Sequence, residues 1–157
     1  MIRTVKTVYL ESDEATRKLG ARVARCCIPP LVIFLRGDLG SGKTTFARGF
    51  VRELGYPGRV KSPTFSLEES YVFENMSLFH FDLYRIRSSH EVEFIGIRDV
   101  MAREDAVCLI EWPERAGEAV QEADLEFAFA HQGSGRSVLW PGQFEAGQLS
   151  ACYEIRL

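Results

Sequence analysis

Residues 34–50 read FLRGDLGSGKTTFARGF. Three glycines (Gly37, Gly40 and Gly42), one lysine and two threonines stand between an apolar run and an amphipathic one. Gly37, Gly42, Lys43 and Thr44 fit the pattern G-x-x-x-x-G-K-[ST] without a gap. Each part has a physical use. Glycine reaches positive φ and leaves backbone N–H groups unscreened. Those amides, with the N-terminus of a following helix, make a concavity suited to anions. Lys43 adds a mobile charge for β- and γ-phosphates. Thr44 offers a hydroxyl to Mg²⁺, an ion that keeps most of its waters and takes few protein ligands. The phosphate-binding stretch is therefore Gly37, Asp38, Leu39, Gly40, Ser41, Gly42, Lys43, Thr44 and Thr45.

The flanks supply the setting this loop requires. LVIFLR (31–36) is short, apolar and rich in branched residues, as a buried parallel strand should be. Phe46, Phe50, Val51 and Leu54 recur at helical spacing until Gly55 and Pro57 stop the helix. A glycine-rich turn with a chance lysine is the plain alternative. The chain has only four lysines, so Lys43 is not drawn from a lysine-rich background.

At 157 residues, 46% hydrophobic and 26% charged, the composition suits one soluble domain spanning 1–157. A net charge of −3 excludes a global basic footprint, so no direct DNA binding is expected and any RNA contact must be local or supplied by a partner. Cys26, Cys27, Cys108 and Cys152 form no C-x-x-C pair and no zinc spacing, and read as reduced thiols. No apolar run approaches a membrane span, and the first residues lack an apolar signal core. These features together predict a cytoplasmic location.

Working outward, TVKTVYL (4–10) predicts a strand, and Ser12 a cap for a helix whose stripe is Ala15, Leu19, Val23 and Cys26. GYPGRVKSPTF (55–65) reads as a loop. SLEESYVF (66–73) and SLFHFDLYR (77–85) read as a hairpin turning at Glu74-Asn75, which makes the sheet mixed. Ser88 and Glu91 match a capping box for a helix over 91–102 that Gly96 breaks in two. AVCLIEW (106–112) is a second buried strand. DLEFAFAH (124–131) and RSVLWPG (136–142) flank another hairpin signal, and ACYEIRL (151–157) reads as an edge strand. The expected fold is α/β: a P-loop NTPase, three-layered, with a mixed, mostly parallel central sheet.

In such sheets ligands sit beyond the carboxyl ends of the strands. Glu111 ends an apolar strand there, and could hold Mg²⁺ or polarise an attacking water. Asp82 lies in the aromatic segment FHFDLYR, sharing a face with His80 and Tyr84, and suits metal or water positioning. A solvated strand end for Glu111, and an ion pair with Arg85 or Arg87 for Asp82, are the plain readings. Thr64 in KSPTF stands where P-loop hydrolases place a threonine that senses the γ-phosphate. His80, His90 and His131 show no ligand spacing and read as surface or core residues.

Taken together, GDLGSGKTTFARGF, VKSPTF, FHFDLYR, EVEFIGIRD and CLIEWPER resemble the bacterial TsaE (YjeE) family. The resemblance implies an ATP-binding, ATP-hydrolysing accessory of tRNA threonylcarbamoyladenosine (t6A) modification, with ATP and Mg²⁺ as cofactors. It implies TsaB and TsaD as partners, with tRNA reached through them. It assigns Gly37 to Thr45 to the phosphates, Thr44 and Glu111 to Mg²⁺, Asp82 to hydrolysis and Thr64 to a switch-like loop. With the reading of the residues themselves, the candidate catalytic set is Lys43, Asp82, Glu111 and Thr64, and Asp82 is a further candidate for the metal. It also implies that the first helix starts near the base, around Asp13 and Glu14. Residues 116–157 carry none of these motifs.

Two rivals remain at this level. A small-molecule P-loop kinase would need an acceptor pocket and an arginine-bearing lid, for which Arg85, Arg87 and Arg98 are the available arginines. A nucleotide-gated binding module with negligible hydrolysis would need fewer acids than Asp82 and Glu111. GTP is disfavoured, because N-K-x-D is absent and Asn75 is the sole asparagine.

Overall fold

The computed structural model describes residues 5–120 and 122–141. Its elements are β1 (Val5–Leu10), α1 (Asp13–Cys26), β2 (Leu31–Gly37), α2 (Lys43–Glu53), β3 (Glu68–Val72), β4 (Ser77–Asp82), α3 (Ser89–Phe94), α4 (Ile97–Met101), β5 (Ala106–Glu111), a 3₁₀ segment (Pro113–Ala119), β6 (Leu125–Gln132) and β7 (Gly135–Pro141). One seven-stranded sheet runs in the order β1-β7-β6-β2-β5-β4-β3. The four central strands are parallel to one another. Antiparallel pairs add β7 and β1 on one side and β3 on the other, so the sheet is mixed as expected.

Side chains that alternate along the strands fill two cores. Ile33, Leu35, Leu78, Val107 and Leu109 pack with α1 and α2 through Leu19, Val23, Phe46 and Phe50. Phe34, Phe79, Phe81, Cys108 and Ile110 pack on the opposite face with Val92, Ile97 and Ala116. The strict alternation gives three layers, and every residue of β4 and β5 is buried. It also assigns His80, Asp82 and Glu111 to the α1/α2 face, since they share parity with Leu78, Val107 and Leu109.

Several local expectations hold. Ser12 caps α1, its Oγ accepting from Ala15 N at 3.1 Å. Gly96, at φ 69°, separates α3 from α4. Others need correction. The first hairpin strand starts at Glu68 rather than Ser66, because Leu67 sits at φ 67° with its N–H closed on Pro63 O at 2.7 Å. Ser88 does cap α3, but no side-chain cap bond forms, and Glu91 accepts from Arg87 N instead of Ser88 N. Cys27 and Cys108 are free and buried, whereas Cys26 is disulfide-bonded, a pairing that no cysteine spacing announces. The expected strand over 151–157 lies outside the described residues. No helix among those described is long and apolar enough to cross a membrane.

Candidate nucleotide-phosphate site

The loop between β2 and α2 is built from backbone. Gly42, at φ 111°, is the residue before the first turn of α2, and no side chain caps that turn. The N–H groups there are left to an outside acceptor, at the positive end of the helix dipole. A Cβ at Gly42 would meet Arg136 Nη1 at 2.5 Å, and one at Gly37 would meet Phe129 O at 2.4 Å. Gly37 therefore excludes a side chain twice, by backbone conformation and by a neighbouring backbone carbonyl, whereas Gly42 excludes one by conformation, its close neighbour being the flexible Arg136 side chain. Ser41 Oγ is buried in the same loop without a hydrogen-bond partner. An uncapped helix start, an orphaned hydroxyl and no acidic residue in the first turn suit an anion.

Lys43 folds back over this loop. Its Nζ donates to Gly37 O at 2.5 Å and Asp38 O at 2.8 Å, and lies 4.6 Å from the centre of the Trp112 ring. Burial holds its pKa below the usual lysine value, opposed by the charges of Glu111, Asp82, Glu114 and Asp38. Trp112 follows β5 in the left-handed region, at φ 55°, which turns the chain sharply into the 3₁₀ segment. Tyr84 packs on Trp112 with ring centres 5.0 Å apart, and the Arg115 guanidinium reaches over both rings at 5.7 and 5.9 Å.

The acids arrive from neighbouring strands. Asp82 and Glu111 are register partners at the carboxyl ends of β4 and β5. They are buried, with 4% and 2% of their surface exposed, so neither is a solvated strand end. Thr44 Oγ1 donates to Glu111 Oε1 at 2.9 Å, and His80 Nε2 lies 2.8 Å from the same oxygen. Asp82 Oδ2 accepts from Thr64 Oγ1 at 3.0 Å and Oδ1 from Tyr84 N at 3.0 Å. Its partners are thus Thr64 and the backbone rather than Arg85 or Arg87. Thr64 is shared further with Ser62 Oγ at 2.9 Å.

A model of the family described as "Threonylcarbamoyl adenosine biosynthesis protein TsaE" matches residues 10–138. The chain belongs to the TsaE family. Curated relatives carry the name "tRNA threonylcarbamoyladenosine biosynthesis protein TsaE". The Haemophilus influenzae protein is 35% identical over 90% of this chain and 92% of its own. The Bacillus subtilis protein is 37% identical over 82% and 77%, and that of Aquifex aeolicus 40% over 71% and 79%. A solved structure described as "Crystal structure of Bacillus subtilus YdiB" superposes with a TM-score of 0.73 at 26% identity, covering 89% of this chain and 86% of that one. The α/β P-loop NTPase fold expected from the sequence is the fold this family member has.

Lys43, Thr44, Thr64, Asp82 and Glu111 thus converge at one end of the central strands. The oxygen donors of Thr44 and Glu111, with Asp82 on the next strand, fit a hard cation such as Mg²⁺ that takes few protein ligands. Among the described residues no group of three or more His, Cys, Asp or Glu side chains could hold a metal by itself. Four residues at this site escaped the sequence reading. His80 is fully buried against Glu111. His131 Nε2 meets Leu39 O, in the phosphate loop, at 3.2 Å. Arg136 stands against Gly42 and pairs with Asp13 at 2.8 Å. Arg115 sits over Trp112. No motif marks His131 or Arg136; Arg115 closes the CLIEWPER segment and His80 shares the alternation of Asp82, and those were the available signals.

Proposed function

We propose that this chain binds ATP with Mg²⁺ and hydrolyses it, as the ATP-dependent member of a cytoplasmic t6A-modification assembly that also includes TsaB and TsaD. The observation that carries this reading is the Thr44–Glu111 hydrogen bond, which joins the phosphate loop to a buried carboxylate at the end of a neighbouring parallel strand. The loop amides and Lys43 would hold the β- and γ-phosphates. Thr44 and Glu111, with Asp82 beside them, would hold Mg²⁺, which when bound neutralises charge on the phosphate oxygens. Asp82, held by Thr64 and Tyr84 N, would orient a water toward the γ-phosphate. Thr64 couples that carboxylate to the 62–66 loop, so the loop would respond to whether the γ-phosphate is present. Asp13, paired with Arg136 beside Gly42, supports the base lying near the start of α1.

Two large apolar side chains stand exposed at the rim: Leu39, in the phosphate loop, and Phe65, next to Thr64. They suit a protein surface that closes on the nucleotide side. Arg115 is engaged by rings, and Arg136 by Asp13, so neither is poised as a free finger in cis. Slow hydrolysis by the chain alone and acceleration by partners follow. The test is ATP turnover and complex formation with purified TsaB and TsaD, using ATP and ADP. Fast turnover by the chain alone, or a labelled phosphoryl group passed to a small acceptor, would favour a kinase.

A further inference from the structure

We propose that His80 is a positioning residue, one that aims the Glu111 carboxylate at the metal through a hydrogen bond from Nε2. The proposal rests on the Mg²⁺–nucleotide reading above and adds to it a residue with no contact to nucleotide or metal. His80 lies on β4, two residues before Asp82, and its side chain is fully buried. Glu111 Oε1 accepts from Thr44 Oγ1 at 2.9 Å, so the His80 nitrogen 2.8 Å away on the same oxygen is a donor. Nε2 therefore carries a proton. The other nitrogen, Nδ1, is buried with no partner, which a histidine kept only for packing has no reason to accept.

The geometry explains the cost. A glutamate side chain has three rotatable bonds, and a strand end alone does not fix its carboxyl plane. Two donors on Oε1, one from the phosphate-loop helix and one from β4, fix both its position and its plane. Oε2 is then left with no donor from His80 or Thr44. Such outer partners of metal-binding carboxylates set ligand orientation, and losing one costs about 10–100-fold in metal affinity or activity. The apolar side chain that β4 would otherwise place here, as it does at Leu78, would leave Glu111 held by Thr44 alone.

The test measures Mg²⁺ binding apart from turnover. ADP affinity is measured by calorimetry across Mg²⁺ concentrations and in excess chelator, for the parent, His80→Leu and His80→Gln. Expected is unchanged ADP affinity in chelator for all three, and at least about tenfold more Mg²⁺ for half-effect in His80→Leu. His80→Gln, whose amide can donate from the same place, should recover most of that loss. Equal Mg²⁺ dependence in parent and His80→Leu would overturn the proposal, as would His80→Gln behaving like His80→Leu. A parent whose ADP affinity ignores Mg²⁺ would instead sink the metal reading, and the proposal with it. Ring ¹⁵N resonances of the parent give an answer that needs no variant to fold: a proton on Nε2 is expected, and an Nε2 that carries none would overturn the assignment.

Discussion

The two sides of the site are built in opposite ways. The phosphate side is one contiguous stretch, Gly37 to Thr45, whose groups are mostly backbone. The acid side is assembled from Thr64, His80, Asp82 and Glu111, which come from a loop and two strands and meet only through the β4–β5 register. The first side is specified by what its residues lack, the second by where the sheet puts side chains. A contiguous backbone cradle is sensitive to change chiefly at its glycines and its lysine. An assembled cluster depends on pairings that a single substitution leaves open.

The largest effect is expected on the assembled side. Asp82→Asn and Glu111→Gln keep shape and remove charge, so nucleotide should stay bound while turnover falls by about 10²-fold or more. Calorimetry beside a steady-state assay separates the two quantities, and parent-like turnover in both variants would remove the acids from the chemistry. Next comes the cradle. Lys43→Ala should weaken ATP binding by about 2 kcal/mol, the scale of a charge-assisted contact, with folding retained. That result, with affinity lost and the acid variants still binding, would sharpen the division between a binding side and a hydrolytic side.

That division tracks what could be read before the structure. The loop declared itself because spacing along the chain is the motif, and its strand and helix carried the matching periodicities. Asp82 and Glu111 were legible as acids closing apolar strands. Their buried pairings were not, because register is a long-range property. His80 was set aside for want of ligand spacing along the chain, yet its partner lies across the sheet, where sequence spacing carries no information. Trp112 was visible in EWPER, but its left-handed backbone and its contact with Lys43 were not. The same limit hid His131 and Arg136 beside the loop, and the disulfide at Cys26. The capping box failed locally: Ser88 and Glu91 are correctly spaced, yet Glu91 satisfies Arg87 N instead.

Smaller effects probe the links around the acids. Thr64→Val removes the hydroxyl that donates to Asp82, and should cost about 1 kcal/mol in a denaturant titration. It should also reduce any difference between ATP and ADP in partner binding; an unchanged difference would detach Thr64 from nucleotide sensing. Smallest of all, and away from the site, burial pushes the Cys27 and Cys108 thiols up to about 12. Since the folded state holds these protons longer than the unfolded chain, their contribution to stability is intact below about pH 9 and is lost as pH rises toward 12. Native protein at pH 8 should therefore alkylate at these positions far more slowly than unfolded protein, which peptide mass analysis after timed labelling would check.

The most direct test of the central claim is the ATP hydrolysis rate of the purified chain in Mg²⁺, measured alone and with TsaB and TsaD, with Lys43→Ala and Glu111→Gln as controls. Slow turnover alone, acceleration by the partners of up to about 10³-fold, and loss of the accelerated rate in both variants are expected. Hydrolysis absent under every condition, or a partner-stimulated rate that survives both substitutions, would contradict that claim.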